Sequence, residues 1–129
     1  MENSGKSNFN PKFRIRTKHF AIKLCKLFNK PQNGESIRVL VRQIIRSGTS
    51  VASNFYAATR ARSVAEYYAK LCIVVEECDE TLFWLDLLID AELMKTEELI
   101  PLHKETEELL KVFATAKKSL KSRIQNHKQ

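Results

Sequence analysis

The chain has 129 residues, a sequence pI of about 9.5 and a formal net charge of +7 at pH 7. That length holds one domain, and a 43% hydrophobic content is enough to bury a core. Three glycines and three prolines exclude a turn-rich β fold, and no stretch approaches the ~18 apolar residues of a membrane span.

Residues 1–11 are polar and lack an apolar leader segment. They are expected to form a disordered tail ahead of a single bundle domain over 12–124, with 125–129 frayed. The first helix is expected over 12–28, its inner face formed by Phe13, Thr17, Phe20, Ala21, Leu24, Leu27 and Phe28. Residues 29–34 contain Pro31, Asn33 and Gly34 and break it.

A second helix is expected over 35–60, with Ile37, Leu40, Ile44, Val51 and Phe55 spaced by three, four or seven. Small residues (Ser47, Gly48, Ser50, Ala52, Ser53) fill its centre. Glycine weakens a helix by roughly 1 kcal/mol relative to alanine, so close packing against a neighbour is a reason to keep Gly48. Ser63-Val64-Ala65-Glu66 has the S-x-x-E pattern of a capping box, with Glu66 reaching back to the Ser63 N–H. The third helix is therefore expected over 64–93, facing inward with Leu71, Val75, Cys78, Leu82, Leu85 and Ile89. Thr96 with Glu97 and Glu98 resembles a fourth start, although Pro101 sits deep for a first turn and favours a kink or a later start. The fourth helix then runs to about 123, with Leu102, Leu109, Phe113, Ala116 and Leu120 inward. Four amphipathic stretches and three breaks predict an all-α, antiparallel up-down-up-down four-helix bundle.

Charge is unevenly spread. Residues 1–70 hold 14 Lys/Arg against 3 Asp/Glu, residues 71–110 hold 2 against 12, and residues 111–129 hold 6 against none. An acidic stretch among basic helices predicts both neutralisation inside the bundle and positive surface for an anionic partner. Lys23, Lys26, Arg38, Arg42, Lys111 and Lys118 lie on the more polar helix faces and are the candidate nucleic-acid contacts. Such cations neutralise phosphates without reading sequence. Base stacking has weaker support, because Tyr56, Tyr67 and Tyr68 cluster near the turn between the second and third helices.

Arg46 and Glu80 lie equally far before and after Ser63. Antiparallel helices joined there place Arg46 beside Glu80, or beside Glu77 one turn earlier, as a structural polar pair. The carboxylates at 76, 77, 79 and 80 lack the Glu-x-x-His motifs of di-metal bundles, so neither metal nor cofactor is expected. The R-x4-H spacing of Arg14 and His19 matches that of helical ribonucleases but sits in the first helix, where a basic helix start explains it. Cys25, Cys72 and Cys78 are odd in number and without metal spacing, which predicts buried free thiols in a reducing cytoplasm.

Three segments carry a family resemblance. Q-I-I-R-S-G-T-S-V-A-S-N (Gln43 to Asn54), then R-A-R-S (Arg60 to Ser63) and K-L-C-I-V-V-E-E-C-D-E-T-L-F-W-L-D-L (Lys70 to Leu87) resemble the bacterial four-helix-bundle proteins encoded inside intervening sequences of large-subunit ribosomal RNA genes. That family is related to the accessory variability proteins of diversity-generating retroelements. The resemblance departs at Ala57, where the family usually has Glu. It implies a closed homo-oligomer, with pentamers as the associated state. Apolar positions beyond the needs of one bundle seam agree, with Phe55, Tyr68, Phe83 and Trp84 as candidate subunit contacts. The expected task is non-enzymatic and cytoplasmic: a small basic assembly binding RNA or DNA through backbone charge. The alternative is a protein-interaction module, for example an accessory subunit of a reverse transcriptase.

Overall fold

The computed structural model describes residues 4–127, and side chains within 8–126. Four helices follow in order: α1 (Ser4–Leu27), α2 (Glu35–Thr59), α3 (Val64–Asp90) and α4 (Thr96–His127). Short connections make successive helices antiparallel, and α1 and α4 close the bundle. Among the described residues there is no β-strand.

The core follows a strict three-four alternation. In α2 the buried residues are Ile37, Val41, Ile44, Ser47, Gly48, Val51, Phe55 and Ala58, and in α3 they are Leu71, Val74, Cys78, Thr81, Leu85 and Leu88. This is the seam of a bundle with coiled-coil-like packing. It differs by one step from the expected rows: Leu40, Val75, Leu82 and Ile89 flank the seam half-buried. The cause is polar seam residues. Thr17, Ser47, Thr81 and Thr106 are all buried. Thr17, Ser47 and Thr106 each donate to the carbonyl four residues earlier, at 2.6–2.9 Å, and Thr81 gives its one proton either to Glu77 O, 2.7 Å away, or across to Ser47, so none needs water. Thr81 Oγ1 also meets Ser47 Oγ at 2.7 Å, tying α3 to α2.

Two helix boundaries correct the sequence reading. α1 begins at Ser4, ahead of the expected start at 12, and carries Pro11 inside. Tertiary contacts hold these first turns: the Phe9 ring lies 4.7 Å from Phe13 and 6.0 Å from Phe55, and the Tyr67 hydroxyl donates to Asn10 Oδ1 at 2.9 Å. Thus 4–11 belong to the bundle, while 1–3 lie outside the described residues. Likewise α4 starts at Thr96 and runs through Pro101, because Leu99 and Leu102 on either side are buried. It continues to His127, past the expected fraying point, and 128–129 lie outside the described residues.

The turns match their chemistry. Gly34, before α2, has φ 109°, a conformation side chains disfavour. Ser63 Oγ accepts from Glu66 N at 3.1 Å, but the Glu66 carboxylate reaches Arg62 N at 2.7 Å, one residue before the expected Ser63 N–H. That bond also lowers the Glu66 pKa. After α3, Glu92 takes φ 57°. Its N–H donates to Ile89 O and the Leu93 N–H to Leu88 O, a Schellman cap built on a non-glycine residue.

Candidate functional site

The α2–α3 face contains the expected polar pair. Arg46 Nη2 donates to Glu80 Oε2, Arg46 Nη1 lies 3.5 Å from Glu77 Oε1, and Arg46 Nε donates to Gln43 Oε1 at 3.1 Å. Trp84 Nε1 donates to Glu80 Oε2 at 3.1 Å. The two carboxylates respond oppositely. Glu80 is held below the usual carboxylate range, chiefly by the Trp84 donor and then by Arg46. Glu77 is raised by burial, and by Glu80 and Glu76 nearby, with Arg46 opposing. Glu77 Oε1 is closed from solvent and has no hydrogen bond, so the Arg46 charge alone compensates it. These contacts fix the register of α2 on α3.

Two further polar side-chain contacts join helices, one of them an ion pair between α1 and α4. Arg16 Nε and Nη2 donate to the two Glu105 oxygens at 2.7 and 2.8 Å, and Nη2 reaches Glu108 at 2.7 Å. The Glu105 bond, foremost, raises the Arg16 pKa. His103 Nε2 lies 2.5 Å from Asp86 Oδ1. The sequence reading missed both; for Arg16 and Glu105 a basic first helix beside an acidic fourth was the available signal.

Cys78 is buried, its thiol pushed up to about 12 by desolvation, and Cys72 is half-buried. Cys25 is exposed, contrary to expectation, because it lies on the outward face of α1. Among the described residues no group of three or more His, Cys, Asp or Glu side chains could hold a metal. Arg14 and His19 do not converge on one site. Five residues of helix turn them ~140° apart, and Arg14 lies over the Tyr56 ring.

The six candidate cations divide between two ends of the bundle. Phe9 and Phe13 of α1, Phe55 of α2 and Phe113 of α4 form one aromatic cluster, and Tyr67 of α3 bonds Asn10 beside it. The start of α1, the α2–α3 turn and the tail of α4 therefore share one end. Lys111 and Lys118 are exposed there, with Lys12, Arg14, Arg60, Arg62, Lys121 and Arg123. Glu66 in the first turn of α3 is bonded to Arg62 N and lies 3.8 Å from the Arg62 guanidinium, and Glu107 and Glu108 lie one turn before Lys111. Lys23, Lys26, Arg38 and Arg42 lie toward the opposite end, where the acids of α3 and α4 gather. Arg38 pairs with Glu35 at 2.7 Å, and Lys23 borders a groove with Glu98 and Glu105. Residue spacing alone places cations on a face and does not reveal this division along the bundle axis.

A groove of about 710 Å³ runs between α1 and α2 on the flank of the basic end. Its walls include Arg14, Ile15, Lys18, Thr49, Ser53 and Tyr56, with no carboxylate among them. On α3, Phe83 is 56% and Leu87 39% exposed, beside a half-buried Trp84 whose ring centroid is 5.1 Å from that of Phe83. Tyr68 is half-buried. Phe55, expected among the subunit contacts, is instead fully buried in the aromatic cluster. Its place in the seam makes it core.

No helix among the described residues is long and apolar enough to cross a membrane. Among curated proteins none matches the chain. A solved structure of a protein with unknown function from the S23 ribosomal protein family of Bacteroides thetaiotaomicron is similar at 30% identity and a TM-score of 0.75. The match covers 84% of this chain and 97% of that one. The family model described as 23S rRNA-intervening sequence protein matches residues 13–115. This match takes in all three motif segments and most of all four helices, and the chain belongs to the 23S rRNA-intervening sequence protein family.

Proposed function

We propose that this chain is a non-catalytic, homo-oligomeric bundle that binds RNA or DNA through the phosphate backbone. The observation that carries the reading is the basic end: cations from α1, the α2–α3 turn and α4 gather there and outnumber the acids among the described residues. Fixed cations release counterions from a nucleic acid and give affinity without sequence reading. The ion pairs Arg16–Glu105, Arg46–Glu80 and Lys30–Glu98 lie nearer the middle and the other end; among the described residues of the basic end it is Arg62 that pairs with an acid, Glu66 at 3.8 Å. The exposed Phe83 and Leu87 supply an apolar surface for assembly, and a closed homomer would repeat the basic end around its axis.

An electrophoretic shift series tests the reading. Wild-type protein should retard structured RNA and duplex DNA at low salt and release both as salt rises. No shift of either at low salt would overturn it. The α3 patch supports a second reading, an accessory protein-interaction module. Phe83 and Leu87 are exposed among the acidic Asp79, Asp86 and Asp90, a surface suited to a basic protein partner.

A further inference from the structure

The groove between α1 and α2 combines three properties, the last two of which backbone binding does not require. The first is charge: its ionic lining is cationic, from Arg14 and Lys18. The second is a planar stack. The Tyr56 ring is 45% exposed, and the Arg14 guanidinium carbon sits 4.3 Å from its centroid. Arg60 lies 5.4 Å from the same centroid, and its Nη1 donates to the Tyr56 hydroxyl at 3.3 Å. The third is free acceptor capacity. Thr49 and Ser53 give their hydroxyl protons to carbonyls within α2, at 2.6 and 3.4 Å, so their oxygens retain lone pairs on the groove wall.

We propose that this groove binds an unpaired stretch of nucleic acid, with a base added to the Arg14–Tyr56 stack and flanking phosphates held by Lys18 and Arg60. The inference rests on the nucleic-acid reading above and deepens it. A phenol–guanidinium stack presents a flat, polarisable surface, which every base can cover whatever its sequence. A volume of about 710 Å³ accommodates a nucleotide-sized ligand. A duplex offers only its backbone here, since its bases are already stacked inside. The Thr49 and Ser53 oxygens can accept from a base amino group or a ribose hydroxyl. Tyr56 sits near the α2–α3 turn, and it is Arg14, brought across from α1, that completes the platform.

Fluorescence anisotropy on the full chain tests this with a labelled unpaired oligonucleotide and a duplex of the same sequence at equal salt. The wild type should bind the unpaired strand more tightly. Tyr56→Ala should weaken that binding about tenfold and leave duplex binding unchanged, while Tyr56→Phe, which keeps the ring, should bind like the wild type. Circular dichroism would verify that the variants stay helical. A Tyr56→Trp, Trp84→Phe double variant gives a second readout: stacking should quench the indole when the unpaired strand binds. Unchanged affinity of Tyr56→Ala for the unpaired strand would overturn the groove proposal while leaving backbone binding intact. Wild-type protein that binds neither strand would overturn both. Polyglutamate bound at this groove by a wild type that ignores nucleic acid would assign it to an acidic protein segment instead.

Discussion

At Gly48 the side chains of α1 press close on α2: a Cβ built on it would lie 2.1 Å from Leu24 Cδ1. Alanine there gains roughly 1 kcal/mol in helix propensity but forces a fully buried leucine to move, an overpacking that costs about 1–3 kcal/mol. Gly48→Ala should therefore lower stability by about 1 kcal/mol in urea denaturation. In a Leu24→Ala background the same change should become stabilising, because the clash is gone and the propensity gain remains. Glu77 and Glu80 give a second test at this scale. Glu77 has a folded pKa raised above the ordinary 4.5, so the native state favours its protonated form. Its ionised form weakens the fold at neutral pH, and that effect lifts as pH falls through the raised value. Glu77→Gln should thus be more stable than the wild type at neutral pH, with the difference vanishing below the ordinary value. Glu80 is lowered, so its contribution is present above 4.5 and lost as pH falls through its folded value. Glu80→Gln should be the less stable variant at neutral pH. Thermal denaturation of both variants across acidic pH would show the opposite signs.

The elements show where local sequence decides and where packing overrides it. Glu92 holds a left-handed conformation that glycine adopts without strain, at φ 57°. Glu92→Gly should stabilise the α3–α4 cap by about 1 kcal/mol and raise Tm by a few degrees. Four helices, three breaks and the Arg46–Glu80 register were legible because α2 and α3 are joined by a short, symmetric turn at Ser63. The α1–α2 register was not. Leu24 opposes Gly48 and Arg14 opposes Tyr56, so the two helices are centred on residues 35–36, beyond the loop midpoint. α2 therefore starts more than a turn past the end of α1, and counting from Pro31 misplaces every partner. The early start of α1 and the run of α4 through Pro101 were hidden for another reason. Propensity rules end a helix at such prolines, whereas Phe9, Leu99 and Leu102 hold these helices through burial. Hydroxyl residues in the seam shifted the apparent apolar faces by one position, which is why Thr81 was overlooked and Leu82 was expected inside.

At the scale of the molecule, the proposed assembly and the proposed binding would use different surfaces. Phe83 and Leu87, exposed side by side on α3 next to Trp84, form the apolar patch proposed for subunit contact. Light scattering should return a multiple of 14.9 kDa for the wild type and the single-chain mass for a Phe83→Lys, Leu87→Lys variant of unchanged helicity. Wild-type protein at the single-chain mass would contradict assembly. The candidate cations looked equivalent in sequence, because helical spacing assigns a face and says nothing of position along the bundle axis. The fold separates them, placing Lys111 and Lys118 at the basic end and Arg38 and Arg42 toward the acidic one. The most direct measurement is the slope of log affinity against log salt for one RNA, in wild type and two charge-reversed variants. Lys111→Glu with Lys118→Glu should weaken binding to all sequences alike and flatten the slope by about 0.7–0.9 for each phosphate left unneutralised. Arg38→Glu with Arg42→Glu should leave both affinity and slope near the wild-type values. Equal weakening in the two variants, or weakening confined to the Arg38 and Arg42 pair, would contradict binding through the basic end.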